Sequence, residues 1–458
     1  MAFRPAMQSA GLALDIWPRA ARRPTARGSR EPLAPRAAYP GAMTSPASRP
    51  DRPARTSSPP RVSTTGSVTL NAAGAQQWQS GRPWVYRSDV TSAPELPGAY
   101  PVEDSHGRPL GFALVNARSE ITVRVLSRAG APIRAEDLQA RAAAAVAFRL
   151  SLNPDGDAYR LVHGDADGLP GLVIDRYNDY LVVQCNSAAL EPYLNGLLVT
   201  VSRLVRPRGI LGRFDSPARA REGLDSGVRV LAGKVPDLIE AREGPVRFLV
   251  DARKGQKTGA YLDQRENRLA LGRVAARVAA LAPGRQALDV FAYQASFGLH
   301  LALAGLSTES VDSSADALAR GKENAALNGL DERMSFTVGN AFEVLRARER
   351  EGRRYAAINL DPPAFAKARR DLDAAYRAYK EVNLRAMKLL EPGGVLGTSS
   401  CSFHVSPDAF ATMLREAAAD AGRSLRVLEW RGQAADHPEL LNAPESHYLK
   451  FALLEALP

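Results

Sequence analysis

Only two cysteines, Cys185 and Cys401, occur in 458 residues. A pair cannot frame a disulfide scaffold, and such sparing use suits a reducing cytosol. No window reaches the ~18 consecutive apolar residues of a membrane span, so a soluble, cytoplasmic protein is expected. Neither G-x-G-x-x-G nor a Walker loop occurs, which argues against a bound pyrophosphate or nucleoside triphosphate. Lysine is scarce, 8 of the 60 basic residues, a bias read first as GC-rich coding. The formal net charge is +11, but residues 1–65 carry eleven arginines against three acids and so hold +8 of it. The remainder is nearly balanced, and total charge is a weak argument for nucleic acid. What is present, 45% hydrophobic and 24% charged residues, is the composition of a globular protein with material for about three domains.

Residues 1–65 also hold eleven of the 32 prolines, a composition that cannot bury enough apolar surface to fold. The stretch reads as a disordered tail, dispensable or a start-site artefact, with Met43 as a later start. Residues 66–134 alternate short strands and turns and predict a small β-barrel. Arg82-Pro83-Trp84 within it is either barrel core with a surface arginine or an RNA-facing patch. Residues 135–240 read as a mixed α/β unit opened by an Ala-rich helix. The Gly164–Gly171 run lacks EF-hand spacing and a terminal Glu, so it reads as a β-turn and no metal site is expected. From 241 to 458, strands and helices alternate, the pattern of an α/β doubly wound, Rossmann-like sheet.

In such sheets ligands sit beyond the C-terminal strand ends. The first strand runs from Asp289 into a loop containing Phe291, Tyr293 and Ala295, and the second ends at Asp312, 23 residues after Asp289. An acid at about that distance is placed to accept ribose hydroxyls, and it would serve equally as a helix N-cap. Asn340, after the third strand, can meet an adenine edge. Adenosine without phosphates points to S-adenosylmethionine. After the fourth strand, Asp361-Pro362-Pro363-Ala364-Phe365 is a stiffened loop. It could hold a planar base against Phe365 while Asp361 bonds its polar edge. Cys401 follows the fifth strand on the same sheet edge. A thiolate adding to carbon-6 of cytosine makes carbon-5 nucleophilic enough to take a methyl group, which marks Cys401 as the candidate nucleophile. Cys185 reads as structural. Lys367 and Arg369 would help position RNA.

These residues together resemble the ribosomal large-subunit methyltransferase I family over about 66–458. The most specific stretches are Gly255–Arg268, Asp361–Lys367 and Ser400-Cys401-Ser402. The resemblance implies an S-adenosylmethionine-dependent 23S rRNA cytosine-C5 methyltransferase with an N-terminal PUA-type RNA-binding barrel, a central α/β domain and a Rossmann-like catalytic domain. It also implies that Gln264 and Arg265 lie by the methionine end of the cofactor, although the pair could instead bridge two domains. The chain departs from the family where glycines are usual, at Ala295 and Ser296, and at Asn340, where Asp is usual. A left-handed backbone at Ala295 would add strain. Two other readings stay open, a base N-methyltransferase using the Asp-Pro-Pro loop and a non-catalytic RNA-binding assembly factor. The nucleotide modified is not legible, nor is the choice between naked rRNA and a subunit precursor. The oligomeric state is open, with a homodimer among the options.

Overall fold

The computed structural model describes residues 66–458 except Pro283, Lys367 and Ala368. The reading of residues 1–65 as a tail lies outside the described residues. No described helix is long and apolar enough to cross a membrane.

Residues 68–127 form a six-stranded sheet in the order Trp84–Val85, Val123–Ser127, Pro109–Val115, Gly98–Asp104, Val68–Leu70, Val90–Ser92. Alternation places Val68, Leu70, Val102, Val115 and Val123 in one core. A helix unanticipated from the sequence, Ala72–Gln79, seals it with Trp78; Asn71 caps this helix by accepting from Gly74 N at 2.8 Å.

The next sheet has five strands in the order Val228–Gly233, Gly209–Arg213, Tyr180–Cys185, Leu172–Tyr177, Ala158–His163. Helices Ala135–Ser151 and Leu194–Val205 bury Leu138, Ala142, Leu197 and Val201 against it. Gly164–Asp167 is a turn of 3-10 helix closed by left-handed Gly168, where a β-turn was expected. The hairpin Ile239–Glu243/Val246–Val250 packs Ile239, Ala241 and Phe248 with Ala158, Tyr177 and Leu211, so apolar packing continues across residue 240.

The third sheet comprises β1 Gln286–Val290, β2 Ser307–Asp312, β3 Met334–Val338, β4 Tyr355–Leu360, β5 Leu390–Ser400, β6 Leu425–Arg431 and β7 Lys450–Ala456. Its order is β3-β2-β1-β4-β5-β7-β6. The first five strands are parallel, whereas β7 runs antiparallel to both β5 and β6. Helices α1 Arg265–Ala279, α2 Ser296–Leu303, α3 Ala315–Leu327, α4 Ala341–Arg350, α5 Leu372–Leu389 and α6 Pro407–Asp420 accompany it. Strand order reverses between β1 and β4, the place where such a sheet opens a ligand crevice.

Ionic contacts far apart in sequence join the last two units. Arg149, fully buried, reaches Asp167 at 2.6 Å and the Asp436 carbonyl at 3.1 and 3.2 Å. The Asp436 carboxylate accepts from Arg160 N at 2.7 Å and Arg265 at 3.2 Å. Glu243 of the hairpin accepts a fork from Arg268 on α1, with one contact at 2.6 Å, and meets His300 on α2 at 3.1 Å.

Candidate active site

The loop after β1 turns sharply because Phe291, Tyr293 and Ala295 take left-handed conformations, with φ of 62°, 50° and 59°. Each non-glycine residue there costs ~1–2 kcal/mol. The loop is held on the tip of β2, where Ala292 N donates to Val311 O (3.0 Å) and Tyr293 N to Asp312 Oδ2 (2.8 Å). Ala295 is fully buried, and its methyl faces Gly321 of α3, where an added Cβ would lie 3.2 Å away. The glycine missing from the loop is thus matched by a glycine in the helix beside it.

Asp312 Oδ1 accepts from Ser314 N at 2.9 Å. Each of its oxygens so far takes a single backbone N–H, and a carboxylate has about four lone-pair sites. These acceptor sites at the β2 tip suit the two hydroxyls of a ribose. Asn340 caps α4, its Oδ1 accepting from Phe342 N (2.9 Å) and Glu343 N (3.4 Å), so any contact to an adenine edge falls to its amide nitrogen. Asp289 does not fit the cofactor-contact reading. It is fully buried, out of reach of a ligand, its oxygens accepting from Gly298 N (2.8 Å) and Asn359 Nδ2 (2.9 Å). Burial pushes its carboxyl up to about 7, against those two hydrogen bonds. It ties β1 to α2 and β4.

Asp361 leaves the end of β4, and the pairing of Leu360 with Thr398 sets it beside the end of β5. Its Oδ1 accepts from Gln264 Nε2 at 2.8 Å and from the Ser399 hydroxyl. Gln264 is oriented in turn by Asn267, which donates to its Oε1 at 2.7 Å, and Asn267 accepts from Arg431 at 3.0 Å. Asp361 Oδ2 meets no protein donor among the described residues. Burial raises the Asp361 pKa, Ser399 opposes that shift, and the nearby Asp263 charge adds to it.

Cys401 is partly exposed, with Sγ 4.0 Å from the Pro362 carbonyl. Burial, then the charge of Asp361, pushes its thiol up to about 11, against the pull of Lys257. Lys257 is fixed by Asp263 at 2.6 Å and lies over the Tyr261 ring at 4.5 Å. Lys450 opens β7, opposite Ser400. It is buried and donates to the carbonyls of Ser402 (2.7 Å) and Tyr448 (3.0 Å). Burial lowers it to about 8 while Cys401 pulls it upward. The Asp361–Phe365 loop is anchored by Ser402, whose hydroxyl accepts from Ala366 N (3.2 Å) and bonds Tyr379 (2.9 Å). Phe365 sits among Tyr379, Phe342 and Phe291, with centroids 4.7, 6.0 and 6.2 Å away.

The fold therefore gathers Cys401, Asp361, Gln264, Phe365, Phe291, Tyr293, Ala295 and Asp312 along one edge. Arg265 makes no direct polar contact with the second sheet among the described residues; both of its partners belong to residues 241–458. Its buried guanidinium is engaged by Asp436 and Glu266, at 3.2 and 3.3 Å, rather than left free for a cofactor carboxylate. Arg82 and Trp84 lie on the first sheet, where Arg82 pairs with Glu445 at 2.9 Å. Lys367 lies outside the described residues; Arg369 opens a short 3-10 turn, and its side chain is outside them too. Sequence reading missed Lys450, Ser399 and Tyr379. Lys450 had a signal, a single ammonium in the otherwise apolar run Leu449–Leu454, since a buried lysine needs partners.

Residues 214–452 match the S-adenosylmethionine-dependent methyltransferase family, and residues 68–128 match the PUA-like domain. The chain is 38% identical over 378 residues to the ribosomal RNA large subunit methyltransferase I of Erwinia tasmaniensis, covering 80% of this chain and 93% of that protein. To the protein of the same name from Shewanella denitrificans it is 37% identical over 393 residues, covering 84% and 97%. Among solved structures, a SAM-dependent methyltransferase from Streptococcus mutans has a TM-score of 0.70 at 18% identity, over 85% of this chain and 99% of that one. A methyltransferase complexed with SAH has a TM-score of 0.72 at 19% identity with the same coverage; both likenesses are of fold. The extent of the sequence matches decides the assignment: the chain belongs to the ribosomal RNA large subunit methyltransferase I family of S-adenosylmethionine-dependent methyltransferases.

Proposed function

We propose that the protein methylates carbon-5 of a cytosine in large-subunit ribosomal RNA, 23S rRNA or its precursor, with Cys401 as covalent nucleophile. The names of the relatives and the PUA-like domain support the RNA substrate. The observation that carries the chemistry is a partly exposed thiol at the tip of β5 beside a half-buried carboxyl at the tip of β4.

Cytosine C5 is too electron-poor to be methylated unaided. Addition of Cys401 Sγ to C6 forms a carbon–sulfur bond and moves an electron pair toward C5 and N3. Asp361 Oδ2 meets no protein donor among the described residues, and burial raises the pKa of the group, which favours sharing a proton with the N3/N4 edge as that pair arrives. Gln264 and Ser399 hold its other oxygen and fix the rotamer. The thiol must surrender its proton to solvent, and the ammonium groups of Lys257 and Lys450 favour the thiolate electrostatically. Phe365 offers the extruded ring a face to pack on. S-adenosylmethionine, when bound, supplies an electrophilic methyl group. Asp312, Tyr293 and the amide of Asn340 are the residues we assign to hold its adenosine. Loss of the C5 proton to water and expulsion of Sγ with the carbon–sulfur electron pair restore the aromatic ring, and the released thiolate regains a proton from solvent.

The test is incubation with S-adenosylmethionine and an rRNA fragment containing 5-fluorocytidine, because fluorine cannot leave as a proton does. A denaturation-stable protein–RNA adduct is expected from the wild type and none from Cys401→Ala. Methyl groups found on exocyclic nitrogens by nucleoside mass spectrometry, or an adduct persisting in Cys401→Ala, would overturn the assignment.

A further inference from the structure

Directly after Cys401 the chain makes a tight turn. Ser402 O accepts from Val405 N at 3.1 Å, which leaves Phe403 and His404 at the two central positions of a β-turn. Gly, Pro, Asn, Asp and Ser favour such positions for conformational reasons, and a phenylalanine does nothing for the turn itself. Both ends of the turn are buried and fixed. Ser402 is fully buried, its carbonyl also accepting from Lys450 at 2.7 Å and its hydroxyl bonding Tyr379 at 2.9 Å. Val405 belongs to the same apolar core as Leu360 of β4 and Leu396 of β5. The tip is the reverse: Phe403 is 52% exposed, its ring edge-to-face with that of His404 at 5.0 Å.

A single exposed apolar side chain needs no explanation in itself; the place of this one does. Among the described residues four phenylalanine, tyrosine or tryptophan side chains are exposed: Tyr86, Phe148, Phe403 and Trp430. Phe148 lies against the Arg149 guanidinium at 5.1 Å, Tyr86 belongs to the first unit, and Trp430 stands on β6. Phe403 alone adjoins the nucleophile. Two trans peptide units put its Cα no more than about 7.6 Å from that of Cys401. Neighbouring nucleotides are roughly 3.4 Å apart along a stacked strand and farther when splayed, so the base beside one held at Cys401 comes within reach of the ring. Extruding a cytosine strips the flanking base of a stacking partner. An aromatic ring on a fixed turn takes that place with little conformational entropy left to lose. Every base has a π-face, so this contact tightens binding without reading sequence.

We propose that Phe403 stacks on the base flanking the target nucleotide and so holds the opened RNA strand at Cys401. The proposal rests on RNA being the substrate and on Cys401 marking where the target base sits. It is tested with the full chain and an unmodified 23S rRNA transcript, by filter binding with S-adenosylhomocysteine and excess competitor tRNA. Phe403→Ala should weaken RNA binding about 5- to 150-fold. Phe403→Leu, which keeps apolar bulk but no π-face, should lose nearly as much, whereas Phe403→Trp should bind at least as tightly as the wild type. S-adenosylmethionine affinity in calorimetry and the pH profile of Cys401 alkylation should match the wild type in all three, which a mere packing role for the ring would not allow. Wild-type RNA affinity in Phe403→Ala would overturn the proposal, as would Phe403→Leu binding as well as Phe403→Trp, or an altered alkylation profile in Phe403→Ala. The binding assay needs no turnover. Loss of affinity in Phe403→Ala alongside methyl groups on exocyclic nitrogens would therefore fault the carbon-5 reading and leave the stacking contact standing.

Discussion

Alkylation of Cys401 by iodoacetamide reports directly on the electrostatics of the site. The reagent attacks thiolates. With its pKa pushed up to about 11, Cys401 is ionised in about one molecule per thousand at pH 8. An ordinary cysteine, of pKa ~8.5, is then about one-quarter ionised. The more basic thiolate is the better nucleophile, and a Brønsted slope of ~0.4–0.5 returns roughly tenfold of that deficit. Cys401 should therefore react roughly 20-fold more slowly than an unhindered cysteine at pH 8. Its rate should climb tenfold per pH unit to about pH 10, with no plateau near 9. Cys185 is an internal control, because it is fully buried and pushed up to about 12, and it should stay unlabelled until the protein unfolds. Asp361→Asn removes a charge that opposes the thiolate and should speed labelling at pH 8, whereas Lys257→Met should slow it. Both rates come from peptide mass spectrometry across pH. A plateau below pH 8, or slower labelling in Asp361→Asn, would refute the account.

Three further perturbations probe the frame around that thiol. Despite burial, Arg268 and His300 hold the Glu243 carboxyl down at about 2; its stabilisation is complete above the ordinary value of ~4.3 and is lost as pH falls toward 2. Glu243→Gln should cost about 3–5 kcal/mol in urea unfolding. Glu240→Gln, which breaks the exposed 2.6 Å pair with Arg247 on the same hairpin, should cost about 1 kcal/mol at most, and equal losses would show that burial is not the deciding variable. Asp312→Ala should weaken S-adenosylmethionine binding by roughly 10–100-fold in calorimetry, from the loss of charge-assisted hydrogen bonds, and unchanged affinity would remove Asp312 from the cofactor site. Ala295→Gly relieves a left-handed alanine, ~1–2 kcal/mol, but deletes a buried methyl, ~0.8 kcal/mol, and loosens the unfolded chain, ~0.4–1 kcal/mol. Stability should move by less than about 1 kcal/mol, and a loss above ~2 kcal/mol would mean the methyl contact with Gly321 outweighs the strain.

Much of the catalytic sheet was legible in the chain because parallel strands buried on both faces leave short apolar runs that end abruptly in polar residues. The ends at Asp361 and Cys401 are legible that way. Asp312 is legible instead by its spacing of 23 residues after Asp289, because its strand, Ser307–Asp312, is polar. β-strand pairing then makes them neighbours on one edge. The left-handed strain at Ala295 was also foreseeable, from a missing glycine. Side-chain destination was not. Asp289 and Asp312 both stand at strand positions of the same sheet, yet one is sealed beneath α2 and the other faces out at a tip. Arg265 sits next to Gln264 but bonds Asp436, 171 positions away, and Lys450 reaches the Cys401 neighbourhood only because β7 returns antiparallel beside β5. Local periodicity records which residues leave water. Which partner each buried charge finds is set by how distant segments pack, because the cost of an unpaired buried ion is settled only when the sheets meet.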